Sequence, residues 1–220
     1  MGMLDTIRSY MKLNGSEAKE EVKEHLEILA RLGETKADYL KLKIIQELRS
    51  SGTSENEQVP IESILETLSK VFAVTKLDSD TIKDTITPLI SAISPGVEEN
   101  RKTSIATLIT NLVSGFLGSS EGSENAEEHY VVYAEGNALI RLDVHLWEQR
   151  ITSSGLTQND MSSLLVMTYC KSAINVQKIK LNTFIALYQH QLAQTSTPMD
   201  LKEIARIKEI FEIFHDKDVR

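Results

Sequence analysis

The sequence is short of most residues and patterns that announce a chemistry. One cysteine, Cys170, stands in 220 residues, which excludes an intramolecular disulfide and a thiolate metal centre. It lies in the apolar run Leu164-Leu165-Val166-Met167-Thr168-Tyr169-Cys170, where a small buried thiol is the expectation. Aromatic residues are only 5% of the chain, and Leu and Ile supply most of the apolar side chains. That bias suits helix packing better than a sandwich or barrel. Positive charge is also scarce, with 24 Lys and Arg against 32 Asp and Glu and a net charge of -8. An acidic chain repels phosphate backbones, so no nucleic acid is expected as a partner. No stretch approaches the roughly 20 apolar residues of a membrane-spanning helix. The start, Met1-Gly2-Met3-Leu4, has no apolar leader, so a soluble, cytoplasmic protein is expected.

Catalytic signatures are missing as well. None of the five histidines, His25, His129, His145, His190 and His215, belongs to a His-Glu-x-x-His helix motif or a His-x-His pair. His25 follows Glu21 by one helical turn and reads as a solvated helix surface. Gly115 and Gly118 follow a helix, which is the wrong context for a phosphate loop. Ser114-Gly115 lacks the flanking glycine of a nucleophile elbow. The pairs Glu98-Glu99 and Glu127-Glu128 sit in polar runs without apolar walls and read as solvating charge. No catalytic residue, metal site, cofactor or small-molecule ligand is therefore expected.

What the chain does contain is apolar residues at helical spacing. Leu4, Ile7, Tyr10 and Met11 form one stripe, and Val22, Leu26, Leu29 and Ala30 a second that Gly33 should end. Leu40, Ile44, Ile45 and Leu48 form a third, so a helical hairpin is expected around Gly33. After the polar loop 50–58, Pro60 opens a predicted helix with Ile61, Ile64, Leu65, Leu68, Val71 and Phe72 on one face. Ile82, Ile86, Leu89, Ile90 and Ile93 follow, with Pro88 expected to kink that helix or mark its start. Ser94-Pro95-Gly96 is a turn, and Ile105, Leu108, Ile109, Leu112, Val113, Phe116 and Leu117 make the next stripe. Residues 118–128 form a polar, acidic loop. Further predicted helices run from Thr157 or Asn159 to Ser172, from Val176 to Leu192, and from Leu201 onward.

One segment departs from that period. Ile140, Leu142, Val144 and Leu146 alternate with Arg141, Asp143 and His145, the pattern of a half-buried strand. Tyr130-Val131-Val132-Tyr133 precedes it, with a turn at Glu135-Gly136-Asn137, so residues 129–147 are predicted as a β-hairpin. The competing reading is a helix on Leu139, Leu142, Leu146 and Ile151. His129 and His145 would face each other across the hairpin, with Trp147 packing it onto helices or serving as a partner hot spot.

The expected fold is thus mainly α, one domain over residues 1–220. It is a bundle of about seven or eight helices with residues 104–117 at its centre and the hairpin at its side. The leading functional expectation is non-catalytic, through association with a protein partner or a second copy. Trp147, Leu108, Leu112 and Phe116 are the candidate partner or membrane contacts. The alternative rests on residues 82–117, two apolar helices of which the second carries no charge from 104 to 117. Such a pair can be a concealed insertion hairpin, as in helical pore-forming toxins, which makes a latent membrane-active protein the alternative. An enzyme without a recognisable motif is third.

Overall fold

A computed structural model describes residues 19–53, 58–74, 79–119, 123–135, 138–150, 163–194 and 201–215. Five helices and four strands occur among them. Helix α1 is Lys19–Ser50, strand β1 Ile61–Val74, α2 Ser79–Ile93 and α3 Glu99–Ser119. Strands β2 Glu124–Glu135, β3 Ala138–Arg150 and β4 Ser163–Ile174 follow. A short 3-10 turn, Val176–Lys178, leads into α4 Leu181–Gln194 and α5 Leu201–His215. All strands are antiparallel, in the order β1-β4-β3-β2. The protein is an α/β fold, which overturns the expected mainly α bundle of about seven or eight helices with a single β-hairpin at its side.

The centre of the molecule is the pair β3–β4, and helices cover both sheet faces. On one face the α2–α3 hairpin lays Ile86, Ile90, Ile105, Ile109 and Val113 against Ile140, Leu142, Val144 and Leu146 of β3 and Leu165 and Met167 of β4. On the other, α1 lays Ala30, Ala37 and Leu40 on Trp147, Leu164 and Val166, and Ile44 and Leu48 on Cys170. Helices α4 and α5 close one end, where Phe184 and Ile207 pack with Val132, Leu139 and Ile174. Residues 104–117 therefore lie in an outer layer rather than at the centre. Thr107, Asn111 and Gly115 face outward, and Ile109, Val113 and Leu117 face the sheet.

Four local expectations change for physical reasons. Gly33 does not end a helix, because α1 continues through it as one 32-residue element. Glycine is there so that the helix can approach β1 and β4, since an added Cβ would meet Val71 and Leu164. The segment after Pro60 is β1, not a helix, and the segment ending near Ser172 is β4. Leu164 to Cys170 is buried on both faces, which removes the alternation that marks a half-exposed strand. Part of the expected acidic loop, Glu124 to Glu128, is the start of β2. The hairpin is present and longer than predicted, with β3 in the middle of the sheet and β2 at its edge. Pro88 lies inside α2. The first predicted helix, Leu4 to Met11, and Glu21 lie outside the described residues or side chains.

Candidate functional site

Register and alternation place a row of polar side chains under α1. Between Glu135 and Ala138 two residues connect the paired strands, and the same number of steps back along each strand sets Glu128 opposite His145. Tyr130 is likewise opposite Asp143, and Val132 opposite Arg141. Arg141, Asp143 and His145 share the face that α1 covers, so alternation that suggested a solvent face instead yields buried charge. Their residues are 2%, 3% and 2% exposed, respectively.

The first half of the row is a closed ion pair. Arg141 Nε donates to both carboxylate oxygens of Asp143 at 2.9 and 3.0 Å, and Nη2 donates to Oδ1 at 2.6 Å. Its remaining donors reach the Val59 carbonyl at 3.1 Å and Gln58 Oε1 at 2.6 Å, while the Tyr130 ring stacks 4.4 Å away. A buried guanidinium held in this way by Asp143, Gln58 and Val59 is a structural element.

The second half is less settled. The His145 Nε2 atom stands 3.6 Å from Glu47 Oε2, which α1 suspends above the sheet. Its other nitrogen, Nδ1, is buried without a hydrogen-bond partner. Burial pushes the imidazole pKa down to about 4, so the ring is neutral at neutral pH. Burial raises the Glu47 pKa, with the neighbouring Glu128 adding to the rise. Lys43 pairs closely with Glu128 and lies 3.8 Å from Glu47 Oε1, and its bond to Glu128 raises its own pKa. One donor atom each from Glu47, Glu128 and His145 fall within 4.8 Å of one another. Glu128 and Lys43 are half-exposed and form the outer wall.

A separate polar contact pins the tip of the α2–α3 hairpin. Ser94 and Tyr133 share a 2.6 Å hydroxyl hydrogen bond. Lys171, nearly buried, donates to the Ile93 carbonyl at 2.9 Å and lies 2.5 Å from Glu135 Oε2. Glu135 Oε1 in turn accepts from the Gly96 amide at 3.2 Å.

The structure distributes the four candidate contact residues over two layers. Trp147 is 2% exposed and its Nε1 donates to Glu124 Oε1 at 2.6 Å, with Lys36 Nζ 4.9 Å above the ring. Phe116 is buried, while Leu108 packs half-buried at the edge of the α2–α3 core and Leu112 is half-buried. His129 and His145 do not face each other, since His129 is opposite Val144 and points to the other face. Cys170 is fully buried beside Thr67 Oγ1 at 3.5 Å, and burial pushes its thiol pKa up. The sequence reading missed Glu47 and Glu128. The two-residue spacing between the paired Glu135 and Ala138 carries the signal for Glu128, because register counts back from it. Nothing local marks Glu47.

The fold is a four-stranded antiparallel sheet between a long helix and a helical hairpin. No family model matches the chain, and neither curated proteins nor solved structures give a match.

Proposed function

We propose that the protein is a latent membrane-active protein in which the α2–α3 hairpin shields an amphipathic sheet. One observation carries the reading. The four strands are 14, 12, 13 and 12 residues long, and the central pair is apolar on the hairpin side except for Glu148 and Lys171, and partly polar on the α1 side. Ile140, Leu142, Val144, Leu146, Leu165 and Met167 line the first side, while Arg141, Asp143, His145, Thr168 and Ser172 line the second. A strand crosses a bilayer with about 9–11 residues that alternate apolar and polar in this way. No helix among the described residues is long and apolar enough to cross a membrane. The hairpin therefore acts as a cover, and its charge-free stretches 85–97 and 103–120 carry no ionic group that would have to enter lipid once it lifts.

The test uses dye-loaded vesicles of mixed zwitterionic and anionic lipid. An ideal Cβ on Gly96 would lie 3.3 Å from Glu135 Cγ, close enough for the pair Gly96→Cys and Glu135→Cys to form a disulfide. The oxidised pair should release no dye, and reduction should restore wild-type leakage. Leakage unchanged by the closed disulfide, or no leakage from the wild type, rules the reading out.

A second reading, association with a protein partner or a second copy, is favoured by the outer face of α1. Ile28, Tyr39 and Leu42 are 55%, 55% and 69% exposed there. Sedimentation of the wild type against Leu42→Glu tests it, with a loss of mass expected in the variant. A monomeric wild type that captures no partner counts against it.

A further inference from the structure

We propose that Glu47, Glu128 and His145 bind one divalent transition-metal ion of the zinc class, with Lys43 as the resident cation that the metal displaces. The site does not depend on the membrane reading above. Three elements supply it: α1 brings Glu47, β2 brings Glu128 and β3 brings His145. The pairing of Glu128 with His145 follows from the strand register, so their proximity does not depend on a chosen rotamer alone.

The geometry suits the ion. Donors around tetrahedral zinc stand about 3.3–3.6 Å apart, given bonds of about 2.0–2.2 Å. His145 Nε2 and Glu47 Oε2 are already 3.6 Å apart. The Glu128 carboxylate completes a set lying within 4.8 Å and is on a half-exposed side chain that can close the remaining gap. One imidazole and two carboxylates favour zinc and its neighbours over calcium or magnesium, which prefer six or more oxygens or retained waters. Three protein donors leave a fourth position for water.

Two further observations point to a ligand. The His145 side chain is only 3% exposed, and its Nε2 stands 3.6 Å from Glu47 Oε2, longer than a hydrogen bond. A buried imidazole nitrogen left at that distance from its partner is costly, and an ion between the two atoms offsets the cost. Lys43 places an ammonium against Glu128 and 3.8 Å from Glu47, where a cation is required between two carboxylates. The ammonium is on a flexible stem with a side chain 36% exposed, so it can withdraw into solvent. Two carboxylates and a divalent ion are then neutral together. Arg141 already neutralises Asp143, which leaves that carboxylate out of the ligand set. Bound metal would clasp α1 to the sheet.

The experiment titrates chelator-treated full-length protein with zinc chloride by calorimetry, with thermal melts alongside. One ion per chain is expected, with a raised melting temperature and no competition from millimolar magnesium. Glu128→Gln, on a half-exposed side chain, and His145→Gln should each weaken binding by at least about 10–100-fold. Lys43→Met should tighten it, because the competing cation is gone. His129→Gln should leave binding unchanged, which separates this site from surface imidazoles. If His145→Gln fails to fold, as read by Trp147 emission, Glu128→Gln and Lys43→Met still decide the matter. Wild-type protein that binds zinc no tighter than millimolar overturns the proposal, as does affinity indifferent to Glu128→Gln and Lys43→Met.

Discussion

Gly33 lies so close to Val71 that a Cβ added to it would fall 2.6 Å from Val71 Cγ1, with Leu164 Cδ2 at 3.3 Å. The contact sets how near α1 sits to the sheet, and it explains a glycine in the interior of a long helix. Gly33→Ala gains about 1 kcal/mol of helix propensity but overpacks a stiff β-branched neighbour, at about 1–3 kcal/mol. A net loss of about 1 kcal/mol is expected in denaturant unfolding. Adding Val71→Ala should make the double variant lose less than the sum of the two single losses. A Gly33→Ala protein more stable than wild type contradicts the packing described.

The Arg141–Asp143 pair gives a second prediction. Arg141→Met leaves the Asp143 carboxylate buried without its guanidinium, which costs about 3–5 kcal/mol. Arg141→Met with Asp143→Leu should recover most of that loss, because neither charge remains to be desolvated. Alternation alone suggests that both positions face water and tolerate substitution. Denaturation midpoints for the two proteins decide it, and a single variant within about 0.5 kcal/mol of wild type, the range of ordinary surface changes, would place the pair at the surface.

Alkaline pH should loosen the hairpin tip. Burial pushes the Tyr133 hydroxyl up to about 12 from its ordinary value of 10.0, outweighing its bond to Ser94. The folded state therefore holds this proton more tightly than the unfolded chain. The stability from that difference is whole below pH 10 and is lost as pH rises toward 12. The loss amounts to about 2–3 kcal/mol. Tyr169, whose pKa is also raised by burial, keeps its own contribution in either protein. Tyr133→Phe should flatten the decline measured over that window, and equal slopes would show that Tyr133 is not buried as described.

The single tryptophan reports on the α1 layer. Trp147 is 2% exposed, so its native emission should be blue-shifted and insensitive to iodide. Trp147→Ala removes a large side chain from between α1 and β4 and should cost about 3–5 kcal/mol. Cys170, fully buried in the same layer, should react with a thiol reagent only as fast as the protein opens. Rapid native labelling, or ready iodide quenching, would mean that α1 does not cover this face.

The amino-acid order alone determined elements whose inner stripe is unambiguous. Ile86, Ile90 and Ile93 of α2, Ile105, Ile109 and Val113 of α3, and the alternation of Ile140 to Leu146 all turn apolar toward one neighbour, so period identifies the element. Strands β1 and β4 escaped that logic. Leu68 and Phe72 are four residues apart, a spacing on one face of a helix and also on one face of a strand. Bulge-like register shifts between Ile61 and Glu66 blur the alternation further. In β4 both faces are covered, leaving only a continuous apolar run. Glu127 and Glu128 looked equivalent in the chain, yet adjacent strand residues point to opposite faces, and only pairing with β3 brings Glu128 to His145. Glu47 is separated from Glu128 by 81 residues and from His145 by 98, and reaches them only when α1 docks. Local order thus determined which apolar residues of α2, α3 and β3 turn inward, while long-range pairing and helix docking decided which charges are buried and which of them meet, because contact across distant segments has no local period to reveal it.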